Sequence, residues 1–231
     1  MAKGYEVYSG LVLQAYDIIV HWFNDNYVWR CPLPILDAFF AANVGPRHMD
    51  IGAGTGLFPM NHRDKMRQSD QDWPLHLTLV DMNTLCLEKA ADRIGCPSKT
   101  TCVQADVFQP FVVPDAQSTL AASPKFDSIS LMYLLHCLPP PCHRKATVFA
   151  YLKNHLTPEG TLFGATVLGS GAHHNLLGRL TIRFYNWKGI FGNKDDSPDV
   201  FVNALENEFE EVETHIVGVV LLFRARKPRS A

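Results

Sequence analysis

An α/β fold is expected, with one domain built on a mostly parallel seven-stranded sheet, helices on both faces and a C-terminal antiparallel hairpin. Three observations predict it. Between residues 47 and 168, short β-rich apolar runs alternate with helix-like segments, the rhythm of βαβ units. Several of these runs are almost continuously apolar, as suits strands covered on both faces. Near the end, two β-branched runs flank the tight pair Val217-Gly218, which reads as a hairpin.

The parallel strands are expected at Arg47–Ile51, Leu75–Asp81, Thr100–Ala105, Phe126–Met132 and Gly160–Leu168. Asn83 opens a helix to Ile94, which Gly95 closes and Pro97 cannot continue. A helix fits Cys142–His155, between Pro139-Pro140-Pro141 and the turn Thr157-Pro158-Glu159-Gly160. Ser197–Phe209 reads as a helix with Pro198 and Asp199 in its first turn, followed by the hairpin strands Val212–Ile216 and Val219–Phe223. Two segments stand outside this plan. Residues 1–46, rich in aromatics, read as an N-terminal helical lid, and residues 169–197 as a substrate-side insertion with a helix over Asn175–Tyr185.

The chain has 231 residues, 47% hydrophobic and 19% charged, with a net charge of −2, which suits a globular enzyme and argues against disorder. That balance gives no broad attraction for phosphate backbones, so a nucleic-acid partner is not expected. The basic run Arg224, Arg226, Lys227 and Arg229 reads as a solvated tail. No apolar stretch approaches the roughly 20 residues of a membrane span, and the N-terminus lacks a secretory pattern, so a cytoplasmic location is expected. Six scattered cysteines read as buried small hydrophobes. His136, Cys137, Cys142 and His143 cluster, but their spacing fits no common zinc template, so no metal is expected.

The strongest local signal is the strand and glycine turn Arg47-His48-Met49-Asp50-Ile51-Gly52-Ala53-Gly54-Thr55-Gly56-Leu57. A dinucleotide fingerprint would place its third glycine at position 57, where the chain has Leu. Asp50, two residues before the first glycine, would repel a phosphate at the helix N-terminus and suits a cationic ligand. This D-x-G-x-G-x-G pattern resembles motif I of the class I (Rossmann-like) methyltransferases that use S-adenosylmethionine (SAM). The resemblance covers about residues 47 to 168. It implies SAM as cofactor and S-adenosylhomocysteine as its product. Asp50, Gly52, Gly54 and Gly56 resemble the cofactor cradle. Asp81, followed by Met82, resembles the family's ribose acid, and Asp106 with Val107 its adenine-contacting pair. The run from Phe126 to Pro139 resembles motif IV at the methionine end, and Tyr16 or Tyr8 the lid tyrosines of relatives.

The resemblance implies methyl transfer to a small-molecule acceptor. Candidate bases are His136, just past the fourth strand, and His173 and His174, after the fifth. On a helix over Asn175–Tyr185, Arg179 and Arg183 share one face and could grip an oxyanion of the substrate, with Tyr185, Trp187, Ile190 and Phe191 supplying apolar or aromatic walls. The expected reaction is O-methylation of an aromatic or polyketide-like specialised metabolite by a monomer or homodimer. C- or N-methylation would share the same cofactor half. A SAM-fold protein catalysing a cyclisation without methyl transfer also remains open, whereas Leu57 argues against a nicotinamide-dependent oxidoreductase.

Overall fold

The structure, a computed structural model, describes residues 24–114 and 124–230. Seven strands form one sheet: β1 (Arg47–Ile51), β2 (His76–Asp81), β3 (Thr100–Gln104), β4 (Phe126–Met132), β5 (Leu156–Val167), β6 (Phe209–Val217) and β7 (Val220–Pro228). Their order across the sheet is β3-β2-β1-β4-β5-β7-β6. Strands β1 to β5 pair in parallel, and β7 runs antiparallel to both β5 and β6. The order reverses between β1 and β4. That switch point is where an open α/β sheet leaves a crevice beyond its strand ends.

Successive strand residues feed opposite faces, so the sheet divides two cores. On one face Met49, Ile51, Ile129, Leu131 and Phe223 pack with Phe149 and Leu205. On the other, Leu77, Leu79, Phe163 and Ala165 pack with Leu36, Phe40, Ala90 and Ile94. The first set of helices is α4 (Cys142–Ala146), α5 (Val148–Leu152) and α7 (Pro198–Glu208). The second is α1 (Leu33–Asn43), α2 (Leu57–Gln68) and α3 (Thr84–Ile94), with α6 (Leu176–Trp187) in the segment between β5 and α7. Asn83 caps α3 by accepting from Leu85 N, and Gly95 ends it in a left-handed conformation.

Three expectations needed correction. The helix expected over Cys142–His155 is broken at Thr147, whose hydroxyl donates back to Arg144 O at 2.7 Å and competes with the helical ladder. Strand β5 starts at Leu156 rather than Gly160, and the turn residues Thr157 to Gly160 bulge out where the register with β4 slips. The basic run is no tail. All but Arg229 lie on β7, where Arg224 meets Glu213 at 2.5 Å, Arg226 meets Glu211 at 3.0 Å and Lys227 also pairs with Glu211. The cross-strand charges carry the hairpin well past Phe223.

The segment after β5 is tied down by Asp196. Its backbone carbonyl accepts from Gly169 N and Ser170 N, both at 3.0 Å. Its carboxylate meets Lys145 Nζ at 2.7 Å, with both side chains essentially sealed from water. Burial pushes the Asp196 pKa up, against the pull of Lys145. A lone buried charge costs far more than a matched pair. Replacing Lys145 alone with Met is therefore expected to destabilise the fold by about 3–5 kcal/mol, whereas Lys145→Met with Asp196→Leu recovers most of the loss. Denaturant unfolding of both variants checks this.

Candidate active site

The chain leaves β1 at Ile51 and enters α2 at Leu57, a reversal tight enough to need left-handed residues. Gly54 and Gly56 take φ of +52° and +69°, where a Cβ is disfavoured. They serve different ends. At Gly56 a Cβ would lie 3.0 Å from Ala90 Cα, so this glycine lets α2 seat against α3. At Gly54 a Cβ would meet nothing closer than Gly52 O at 3.9 Å, because the residue borders an open cavity.

That cavity, of about 790 Å³, runs along the carboxyl ends of the strands. Asp50, Gly52 and Gly54 line it from β1, Asp81 and Met82 from β2, and Asp106, Val107 and Phe108 from β3. The sequence-predicted cofactor residues thus come together, except Gly56, whose role is helix packing. Tyr16 and Tyr8 lie outside the described residues.

Asp50 is only 4% exposed. A line of buried polar groups supports it from beneath the sheet's end. Gly45 N donates to Ser128 Oγ at 2.7 Å, Ser128 Oγ lies 2.7 Å from His48 Nδ1, and His48 Nε2 lies 3.0 Å from Ser130 Oγ. Ser130 in turn donates to Asp50 Oδ1. An ionised carboxylate only accepts, so the proton order follows from that end: His48 Nε2–H points at Ser130, and Ser128 donates to Nδ1. Burial, with His62 nearby, pushes the His48 pKa down to about 3, keeping the ring neutral. Burial pushes the Asp50 carboxyl up to about 7, partly countered by Ser130 and reinforced by Asp81.

Asp81 accepts from Asn83 N at 2.8 Å and Gly54 N at 3.3 Å. Burial raises its pKa, and those backbone donors pull it back. Asp106 accepts from Phe108 N at 3.0 Å, so it closes the turn after β3 while also facing the cavity.

The other end of the cavity lies over β4 and β5. Tyr133 and His136 border it, with Trp29 and Phe191 as aromatic walls. His136 is 3% exposed, and its Nδ1 accepts from Val167 N at 3.2 Å. The proton of the neutral ring therefore sits on Nε2, which makes this histidine a donor and not a base.

The structure does not bring His173 or His174 to the cavity wall. His173 is exposed, with its carbonyl accepting from Arg30. His174 commits Nε2 to Leu168 O at 2.9 Å, and burial lowers its pKa. Arg179 and Arg183 are exposed, because the inward row of α6 is Gly178, Ile182 and Tyr185. Tyr185 stands one layer behind the wall, 4.9 Å from Phe191 and accepting from Asn24 Nδ2 at 3.0 Å. His136, Cys137, Cys142 and His143 form no metal cluster: among the described residues no three His, Cys, Asp or Glu side chains are placed to hold an ion.

Of the expected walls Tyr185, Trp187, Ile190 and Phe191, the structure brings Ile190 and Phe191 to the cavity, whereas sequence reasoning missed Trp29 and Arg144, whose guanidinium sits 4.8 Å over the Phe108 ring at the β3 end. No spacing rule marks them. Their aromatic and cationic character was the only signal.

Residues 26–210 match the model of a methyltransferase-domain family, and the chain belongs to that family. It is 46% identical to the methyltransferase ctvB of Aspergillus terreus, over 96% of this chain and 93% of that protein. It is 39% identical to the physcion biosynthesis cluster O-methyltransferase of Aspergillus chevalieri, over 98% and 96%. The fold is shared with the N-methyltransferase NodS of Bradyrhizobium japonicum, solved with S-adenosyl-L-homocysteine, at a TM-score of 0.54 and 17% identity over 84% of each chain. The protein is a class I SAM-dependent methyltransferase.

The two glycines of the β1 turn are expected to behave differently. Gly54→Ala should cost about 1–2 kcal/mol in stability from its positive φ and further weaken SAM binding by about 1–3 kcal/mol, since the methyl intrudes on the cradle. Gly56→Ala should lose more stability, because its Cβ meets α3 backbone. Thermal unfolding and calorimetry on the two variants separate these outcomes.

Proposed function

We propose that the protein transfers the methyl group of SAM to a hydroxyl oxygen of an aromatic, polyketide-like small molecule. The observation that carries this reading is the one cavity that joins three strand-tip acids and bare glycine backbone to an aromatic-walled end. The acids accept and do not donate when ionised, which suits the hydroxyls and cationic centres of SAM and would repel a pyrophosphate. Asp81 is assigned to the ribose hydroxyls. Asp106 is assigned to the adenine amino group, with Val107, Phe108 and Met82 as walls for the ring. Asp50 faces the charged methionine end, over the backbone of Gly52 and Gly54.

When bound, SAM supplies an electrophilic methyl carbon beside a cationic sulfur. The chain's own task is then to hold an acceptor oxygen in line behind that carbon, an effect worth up to roughly 7–11 kcal/mol in well-oriented reactions. Trp29 and Phe191 line this end with aromatic side chains, and Asn186 and Ile190 bring the 169–197 segment to the same end. The name of the physcion-cluster relative supports oxygen as the methylated atom. A net charge of −2 favours a free small molecule over nucleic acid, and the reading takes the enzyme as a cytoplasmic monomer or homodimer.

Incubation with methyl-labelled SAM and a panel of naphthols, resorcylates and hydroxyanthraquinones should give a labelled aryl ether. Label appearing only on carbon or nitrogen, or none transferred while SAM is bound, would contradict the proposal. Asp81→Ala should weaken SAM binding by roughly 1.5–3 kcal/mol, the scale of charge-assisted hydrogen bonds. An unchanged affinity would remove the ribose role.

The Asp50 carboxyl sets a pH dependence. With its pKa raised to about 7 it is protonated below that pH, so binding a cation there must expel a proton. SAM affinity should therefore be flat above about pH 7 and fall by up to tenfold per unit below it, and Asp50→Asn should flatten the slope. Calorimetry across pH checks both.

A further inference from the structure

Taking methyl transfer as given, the acceptor still needs a partner for its hydroxyl proton, and no candidate histidine is placed for it. His136 is held as a donor, and His173 and His174 do not reach the cavity. The tip of β4 offers another group. Tyr133 follows the strand directly and takes a φ of +60°, a left-handed conformation that a bulky residue adopts only when its surroundings impose it. Its N–H is pinned to Ala165 O at 2.8 Å, the residue lines the cavity, and its hydroxyl donates to Asp25 Oδ1 at 2.9 Å.

Asp25 is wholly buried, and Tyr133, which lines the cavity, donates to it. It comes from a wide π-helical turn over residues 24–28, with Trp29 N bonded to Asn24 O and Cys31 N to Asp25 O, both at 2.7 Å. Such turns are uncommon and often mark functional sites. The neighbouring Asn24 holds the Tyr185 hydroxyl, so two consecutive polar residues grip two tyrosines behind otherwise aromatic walls. The Cys31 thiol is pushed up to about 12 by burial and by Asp25, which keeps it neutral. The His136 ring meets the Tyr133 ring edge-on at 5.4 Å and keeps its Nδ1 on Val167.

We infer that Tyr133, backed by Asp25, is the group that receives the acceptor's proton during methyl transfer. Sheet order supports the placement. The adenosyl-binding acids sit on β1, β2 and β3, so the reacting end of the cofactor extends across the switch point toward the β4 tip, where Tyr133 stands. In the step, the sulfur–methyl bond breaks with its electron pair going to sulfur, and the acceptor oxygen bonds the methyl carbon. The acceptor's proton passes to Tyr133 Oη, and the Tyr133 proton passes to Asp25 Oδ1. With Asp25 ionised at the outset charge balances, since the sulfonium and the carboxylate are neutralised together. Tyr133 is the catalytic residue of the pair, and Asp25 positions it and ends the relay.

The test needs no known acceptor. Calorimetry first establishes that wild type and Tyr133→Phe bind SAM and S-adenosylhomocysteine. Binding of neither by the wild type overturns the methyl-transfer reading itself, whereas near-equal binding by both proteins leaves that reading standing and isolates the present inference. Tyrosinate absorbance is then titrated in each complex. A sulfonium beside Tyr133 should make one tyrosine ionise about one pH unit or more lower with SAM than with the uncharged thioether product. That step should vanish in Tyr133→Phe and move to still lower pH in Asp25→Asn, which removes the neighbouring negative charge. A tyrosine remote from the reacting sulfur would show no difference between SAM and its product, and the kcat of Tyr133→Phe then separates proton acceptance from mere proximity. Identical titrations in the two complexes, or a SAM-dependent step that survives Tyr133→Phe, would overturn the assignment. On the acceptor that the aromatic panel identifies, Tyr133→Phe should lower kcat by about 100-fold or more with KM for SAM unchanged, and an unchanged kcat would equally overturn it.

Discussion

A buried carboxylate at the head of a parallel sheet is the constraint around which the rest is arranged. Asp50 lies at the switch point between β1 and β4, nearly sealed from water, and burial pushes its carboxyl pKa up to about 7. Such a group is tolerable only with a donor aimed at it and a cation to answer it. The donor is Ser130, delivered by β4 and backed in turn by His48 and Ser128. At the cavity's β1 to β3 end Asp50, Asp81 and Asp106 converge, with the Arg144 guanidinium engaged over the Phe108 ring. A ligand carrying positive charge fits that requirement, and a phosphate does not.

The two halves of the cavity follow from the two halves of the sheet. On the β1, β2 and β3 side the chain presents acids and bare backbone, because each parallel strand delivers its carboxyl end to the same edge. On the β4 and β5 side it presents rings: Tyr133, Trp29 and Phe191, backed by Tyr185. The segment from 169 to 197 is fastened there by Asp196, whose backbone holds the β5 end while its side chain is locked to Lys145. Rigid acids on one side and anchored aromatics on the other are what positioning catalysis needs, since misplacement of either reactant forfeits its largest contribution.

Much of this was legible in the sequence, and the physical reason is local. Strands buried on both faces leave continuous apolar runs, so β1 and β4 fall at the expected residues, and Asn83 and Gly95 bound α3 by short-range capping chemistry. Asp50, Asp81 and Asp106 could be placed because each stands at a strand tip. What the sequence concealed depended on distant partners. Gly56 looked like part of the cradle, but its neighbour is Ala90, thirty-four residues on. The kink at Thr147 depends on one hydroxyl choosing Arg144 O, and the basic run became a strand only through Glu211 and Glu213 opposite. Asp25 carried no motif, and its place beside Tyr133 spans 108 residues. Arg179 and Arg183 share a helical face as their spacing requires, but spacing does not say which face turns inward.

The most direct test is a crystal structure of the protein with S-adenosylhomocysteine. The ribose hydroxyls should lie within hydrogen-bond reach of Asp81, the adenine between Val107 and Phe108, and the sulfur at the β4 end of the cavity with Tyr133 beyond it. A ligand bound in the reverse sense, or outside the strand tips of β1 to β3, would contradict the assignment of this cavity as the cofactor and reaction site.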